Sequence, residues 1–338
     1  MRVLLQSYNT IMQSKAGGAQ VRLMKLYSEI KKRGIDIKLF DRYSDKISDY
    51  DILHVFHLDT ENLSMIRNAK KHGKKVVISS IINTTGKASL TVHKLLFKLP
   101  IYTEYKIYRQ SLDLADLVIA ETNAEKKHIE KYYCTNSEKI IVIPNGADIY
   151  KKSNEVFIKT GMDIGSKYVL QVGRFDENKN QLRVIKALKN TDIQLVFMGG
   201  AVREGDKYYQ SCLEEAKGCS NIFFLGWVEN GSPMFKSAYA NAAVLVMPSF
   251  YETFGLTIVE GGVCGANLVV SNKLPILEYS EFESVLTINP SSVTDIQTKI
   301  RDAYENTNEE LTERMRATFS WEKVANEHCR WYNKLYEK

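Results

Sequence analysis

Tyr251-Glu252-Thr253-Phe254-Gly255-Leu256-Thr257-Ile258-Val259-Glu260 sets two carboxylates eight residues apart, with a glycine-bearing turn after the first and an apolar run before the second. Upstream, Ala243-Val244-Leu245-Val246-Met247 is an unbroken apolar run, as a strand buried on both faces requires, and Pro248-Ser249 ends it. The stretch predicts strand, loop and then a helix beginning near Gly255. Glu252 falls in the loop beyond the strand's carboxyl end, and Glu260 about two turns into the helix. Backbone N–H groups from Thr253 to Leu256 would be unpaired at the helix N-terminus, which suits an anion. In open α/β sheets, ligands bind at this edge. Taken alone the spacing is common, and a solvated loop glutamate beside a helix-surface glutamate would read the same way.

Outward from that stretch the chain alternates strand and helix. In the second half, strands are expected at 168–172, 193–198, 222–225, 243–247 and 268–270, with helices at 178–189, 206–217, 234–240 and 255–264. In the first half, strands are expected at 2–6, 35–40, 52–56, 75–80, 117–120 and 139–143. Helices there fall at 19–33, 61–72 and 123–132, with helical periodicity between 90 and 112. Such alternation implies parallel sheets with helices on both faces. The pattern restarts after a polar stretch at 151–159, which implies two Rossmann-like domains, 1–150 and 160–320, with a hinge near 147–160.

Composition narrows the class. The chain has 338 residues, 44% hydrophobic and 25% charged, ordinary for a globular protein of about two domains. No apolar run approaches the length of a membrane span, and the first residues enter a strand directly, so a cytoplasmic protein is expected. Five scattered cysteines show neither disulfide nor metal spacing, and six histidines show no metal pattern; His54 and His57 are three apart at a strand end. No metal ligand is assigned. Residues 1–160 carry 27 Lys+Arg against 17 Asp+Glu, and the remainder 19 against 23. A basic first half and a mildly acidic second half suggest different partners, though a merely solvated basic surface gives the same balance.

Two further motifs point to phosphate. Gly17-Gly18 opens the first long helix and would let a ligand approach backbone N–H groups closely. The first strand of the second half ends Gln171-Val172-Gly173-Arg174-Phe175-Asp176-Glu177-Asn178-Lys179. An Arg fork and a Lys point charge side by side at the sheet edge suit a diphosphate.

Read together and in order, these motifs resemble a known family. They are joined by Ile143-Pro144-Asn145-Gly146-Ala147-Asp148, Phe224-Leu225-Gly226-Trp227-Val228, Met247-Pro248-Ser249 and a terminal Phe319-Ser320-Trp321-Glu322-Lys323-Val324-Ala325. The set resembles glycosyltransferase family 4, retaining nucleotide-sugar enzymes of the GT-B fold, over essentially the whole chain. The resemblance implies two Rossmann-like domains facing across a cleft, with a C-terminal helix at 321–338 crossing back to the first domain.

It also implies roles. Arg174 and Lys179 would neutralise the departing diphosphate, and Glu252 would contact donor-sugar hydroxyls; these three form the implied catalytic set. Gly18, Gly173, Val228, Thr253, Phe254, Gly255, Leu256 and Glu260 would line the donor, with Glu260 on the ribose and the loop around Trp227 and Val228 beside the base. The donor would be a nucleoside-diphosphate sugar, UDP-sugar favoured over GDP-sugar, with neither cofactor nor metal. The acceptor would be a glycan or lipid-linked glycan, with cell-surface polysaccharide or glycoconjugate synthesis as the setting and no nucleic acid as partner. The chain departs from the family in two places. No histidine follows the fourth strand, where Ser79, Ser80 or Asn83 would orient the sugar, and Gly265-Ala266-Asn267 stands where Gly-x-Pro is usual. The first departure keeps a second reading open: a non-catalytic GT-B subunit binding glycan or a partner glycosyltransferase. Finally, residues 93–110 mix bulky apolar side chains with cations around Pro100. They suit either peripheral contact with an anionic membrane at its inner face or an ordinary helix pair packed on the first sheet.

Overall fold

The computed structural model describes residues 1–7, 18–82, 87–95, 97, 103–152, 162, 164–165, 167–306 and 309–337. Gly17, Asn83, most of the expected hinge and the centre of the 93–110 stretch lie outside these residues. The chain divides into two units, each of which is an α/β layer structure. Unit 1 is Met1–Gly146 with Trp321–Lys338, and unit 2 is Ala147–Ser320.

Unit 1 holds strands β1 (Arg2–Gln6), β2 (Asp36–Leu39), β3 (Ile52–Phe56), β4 (Lys75–Ser79), β5 (Leu117–Ala120) and β6 (Ile140–Val142). They form one parallel sheet in the order β2-β1-β3-β4-β5-β6. Its helices are α1 (Gly18–Lys32), α2 (Thr60–Lys71), α3 (Lys87–Leu95), α4 (Glu104–Leu114) and α5 (Asn123–Tyr133). Unit 2 holds β7 (Val169–Val172), β8 (Leu195–Met198), β9 (Ile222–Phe224), β10 (Val244–Met247), β11 (Asn267–Ser271) and β12 (Leu286–Ile288). Their order, β12-β11-β10-β7-β8-β9, reverses direction between β7 and β10. Helices α6 (Gln181–Leu188), α7 (Lys207–Glu215), α8 (Pro233–Asn241), α9 (Leu256–Cys264), α10 (Val293–Glu305) and α11 (Glu309–Thr318) cover it, and α12 (Trp321–Tyr336) returns to unit 1.

The sequence explains this architecture element by element. Strands β3, β5, β8 and β10 are buried at every position, as central strands covered on both faces must be. Asp59, Thr103, Thr122, Asp206, Ser232 and Ser292 cap six helices by accepting a first-turn N–H, and Pro233 follows its cap at the first helical position. Helix α12 puts Trp321, Val324, Ala325, Tyr332 and Leu335 into the same apolar cluster as Leu23, Leu26 and Ile30 of α1. Gly146 makes this docking close, because a Cβ there would stand 2.7 Å from the Trp321 ring. Immediately beyond, in unit 2, Ala147 N–H donates to Phe319 O at 2.8 Å and Ala147 bridges Ser320 in parallel. The outgoing and returning crossings of the chain therefore run side by side. Among the described residues no helix is long and apolar enough to cross a membrane.

Three elements were not anticipated: β12, α10 and α11. Helix α6 begins at Gln181 rather than 178, because Asn180 stands in the left-handed region at φ 62° and cannot extend the helix backwards. Glu260 is the fifth residue of α9, little more than one turn in rather than two, since Gly255 at φ 97° is the cap.

Candidate active site

The β7–β10 reversal is where an open α/β sheet leaves a crevice at its carboxyl edge. The loops leaving both strands carry the residues singled out from sequence. After β7 the chain turns at Gly173, whose φ of 143° suits glycine, and Gly173 N–H donates to Met198 O at 2.9 Å. The loop after β8 passes so close that a Cβ on Gly199 would lie 2.0 Å from the Gly173 carbonyl oxygen. Gly199 is thus a steric requirement of this edge.

Asp176 organises the next turn. Its Oδ2 accepts from Arg174 Nε at 2.6 Å, and its Oδ1 accepts the Lys179 backbone N–H at 2.8 Å. Arg174 is three-fifths exposed. Gln181 Nε2 donates to Arg174 O and Gln171 Nε2 to Lys179 O, both at 2.8 Å, which pins the backbone under the two cations.

Two asparagines fasten this loop to the one after β10. Asn178 exchanges hydrogen bonds with Tyr251, Nδ2 to Tyr251 O at 3.0 Å and Tyr251 N–H to Oδ1 at 3.1 Å. Buried Asn180 donates from Nδ2 to Pro248 O at 3.1 Å and Pro290 O at 2.7 Å, while its Oδ1 accepts from Arg183. With both loops held, Lys179 Nζ meets Glu252 Oε1 at 2.6 Å, the side chains 18% and 14% exposed. The sequence reading placed both residues at this edge but did not foresee that they pair.

Helix α9 begins beyond Glu252. Its cap, Gly255, has no side chain to accept a first-turn N–H; the Ile258 N–H donates to Gly255 O at 2.9 Å, and the positive end of the helix dipole lies here. Phe254 is buried in the unit 2 core against Phe319 and Tyr279, so only its backbone is available to a ligand. Glu260 is buried, and its Oε2 accepts from the Tyr239 hydroxyl of α8 at 2.5 Å. Burial and the adjacent Glu260 carboxylate push the Tyr239 phenol well above its usual range. On the β9 side, Trp227 is 44% exposed, its indole N–H donating to Ala201 O at 3.0 Å and its ring against Gly200. Val228 is half-buried against the unit 2 core.

The unit 1 candidates fare differently. Gly18 is the first residue of α1. Ser79 is fully buried with its Oγ 3.0 Å from His54 Nε2, and His54 Nδ1 is 2.5 Å from the Tyr332 hydroxyl of α12. Ser80 is buried and donates to Glu125 Oε1 at 2.7 Å. Both hydroxyls are therefore engaged inside unit 1 rather than presented at its surface. Asn83 lies outside the described residues. In the 93–110 stretch, Tyr105 and Ile107 are buried, Lys94 Nζ donates to Lys131 O and Arg109 pairs with Asp113. These contacts match helices packed on the sheet.

With the geometry in place, comparison with known proteins gives the family. Residues 38–151 match the model described as Glycosyltransferase Family 4, and residues 152–318 match that described as Glycosyl transferases group 1. The chain is a family 4-like glycosyltransferase of the GT-B fold. The transferase is 22% identical to a D-inositol 3-phosphate glycosyltransferase of Paenarthrobacter aurescens, covering 92% of this chain and 91% of that protein. It is 24% identical to a processive diacylglycerol alpha-glucosyltransferase of Acholeplasma laidlawii, covering 82% and 80%. Sucrose-phosphate synthase of Thermosynechococcus elongatus superposes with a TM-score of 0.76 at 16% identity over the whole of both chains. Anabaena HepE, solved with UDP, superposes at 0.75 and 16% identity, covering 99% of this chain and 100% of that one.

Asp176, Asn178, Asn180 and Tyr239 were missed as supporting residues. For Asn180 the residue type alone, an asparagine that tolerates the left-handed region, hints at a turn after Lys179 but not at its contacts.

Proposed function

We propose that the transferase moves a sugar, with retention of configuration, from a nucleoside-diphosphate sugar to a glycan or lipid-linked acceptor in cell-surface polysaccharide or glycoconjugate synthesis. The observation that carries this reading is the Lys179–Glu252 pair at the strand-order reversal, with Arg174 beside it. A cation for the diphosphate and a carboxylate for the sugar hydroxyls stand within one contact of each other. The positive end of the α9 dipole suits the diphosphate, and Glu260, oriented by Tyr239, is suited to accept from ribose hydroxyls. Trp227 offers an exposed, fixed ring beside which a base would lie. A uridine donor is favoured because HepE, so similar in fold, was solved with UDP and with UDP-glucose.

In this mechanism Arg174 and Lys179 stabilise negative charge on the departing diphosphate, without a metal and without a nucleophile from the protein. Glu252 fixes the sugar so that acceptor attack and departure share one face. Gly18 would bring its backbone to the phosphates, and acceptor would bind the basic unit. A lipid-linked acceptor would bring the enzyme to the inner face of the membrane. Arg174→Ala and Lys179→Ala should each lower turnover by about 10²-fold, by analogy with removing one preorganised donor. UDP at about a hundred times its dissociation constant should stabilise the protein by about 2.7 kcal/mol, read as a thermal shift. Wild-type turnover in both variants would sink the assignment.

A further inference from the structure

The cations assigned to the diphosphate both stand paired with carboxylates. Arg174 meets Asp176, but its side chain is largely exposed, so water screens that pair and little is lost when it opens. Lys179 is different. The Lys179 and Glu252 side chains are more than four-fifths buried, with Nζ and Oε1 2.6 Å apart. The two loops that carry them are locked together by Asn178 and Asn180, so neither side chain can carry its loop away. A phosphate oxygen reaching Lys179 must displace Glu252 or share the ammonium with it. Either way a carboxylate with little access to water is left beside a dianion.

What happens next depends on the ligand. A bare nucleoside diphosphate offers Glu252 no donor, and the desolvated carboxylate goes uncompensated. A sugar on the terminal phosphate brings hydroxyl donors to that carboxylate, and the lost ion pair is replaced by charge-assisted hydrogen bonds. We propose that Glu252 competes with the diphosphate for Lys179, so that the site favours the intact sugar donor over the bare nucleoside diphosphate and expels the latter once the sugar has left. The proposal rests on the donor-site reading above and adds to it a selectivity device: the residue that recognises the sugar also closes the empty site.

Isothermal titration of the full chain tests it, with UDP, GDP and ADP and with their glucose conjugates, the nucleotide that binds being carried through the variants. Glu252→Gln should bind the bare diphosphate about tenfold more tightly than wild type, a coupling between those of exposed and fully buried pairs. The same variant should bind the sugar conjugate more weakly, so that the preference for conjugate over bare diphosphate collapses. Lys179→Ala should weaken both ligands, and adding Glu252→Gln to it should leave bare-diphosphate affinity unchanged, since no cation remains to be released. Simple removal of a repelling charge would instead tighten binding in both backgrounds, and that result overturns the proposal. So does a Glu252→Gln protein whose affinity for bare diphosphate matches or falls below wild type; Glu252→Ala supplies the same reading should the first variant melt early. If Lys179→Ala binds both ligands like wild type, the donor-site reading itself fails. If none of the three nucleotides binds wild type, both fall together.

Discussion

Tyr239 illustrates how much of the site is built from residues that touch no ligand. Its hydroxyl donates to Glu260 Oε2 from a wholly buried position, fixing the carboxylate that the proposed mechanism offers to the ribose. Hydrogen bonds to charged groups are worth about 1.5–3 kcal/mol, so Tyr239→Phe should raise the donor KM by about tenfold or more. Ribose contacts act alike in ground and transition states, so kcat should stay within about twofold. Steady-state kinetics decides the matter, and a fall in kcat at unchanged KM would contradict the assignment. Arg174, Lys179, Glu252 and Glu260 were legible in the sequence because charged residues at fixed offsets from strand ends and glycines form a pattern along the chain. Asn180 and Tyr239 were not. Asn180 bonds the carbonyls of Pro248 and Pro290, and Tyr239 reaches Glu260 from another helix, so neither contact exists until distant segments fold together.

Elements were read with uneven success, for physical reasons. Strand β12 is three residues, Leu-Thr-Ile, at a sheet edge, too short for any periodicity. Helix α10 did carry a signal: Ile296, Ile300 and Ala303 are its buried face at helical spacing, behind the Ser292 cap. Inside unit 1, α5 and α12 each bury a titratable group that no pattern advertises. Burial and the neighbouring Glu121 charge push the Glu125 carboxyl up to about 7. Burial pushes His328 down to about 3, with Arg22 adding to the effect, and holds His54 well below its usual range.

The signs differ. A histidine with a depressed folded value gives stability that is present above about pH 6.5 and lost as pH falls toward the folded value. A carboxyl with a raised folded value gives stability that is full below about pH 4.5 and lost as pH rises to about 7. Between pH 7 and 5 the two histidines outweigh the one glutamate, and the melting temperature should fall on acidification. Glu125→Gln removes the opposing contribution, so its melting temperature should fall more steeply over the same interval, by the equivalent of about 1–3 kcal/mol. An unchanged slope in calorimetry at pH 7, 6 and 5 would refute this account.

At the scale of the molecule, the return of α12 joins the two ends of unit 1. Trp321 is buried against Gly146 and the cluster shared with α1, while the parallel bridge of Ala147 with Ser320 belongs to unit 2. Trp321→Ala should cost unit 1 about 3–5 kcal/mol, the usual range for emptying a buried aromatic site. Unit 2 keeps its own cores and should melt as before. Two calorimetric transitions, with only one displaced, are expected; a joint shift of both would mean that the units do not unfold separately.

The side-by-side crossings also impose an order on synthesis. Unit 2 is contiguous, Ala147–Ser320, whereas unit 1 lacks the helix that closes its apolar cluster until residues 321–336 have been translated. The first half of the chain leaves the ribosome with the part of the α1 cluster that α12 covers still open, and waits while the whole of the second unit is made and folds as a block. The nascent protein thus carries a temporary hydrophobic wound on unit 1, a natural landing place for a holdase. Moving α12 to the front of the chain by circular permutation would close that wound during translation instead of after it.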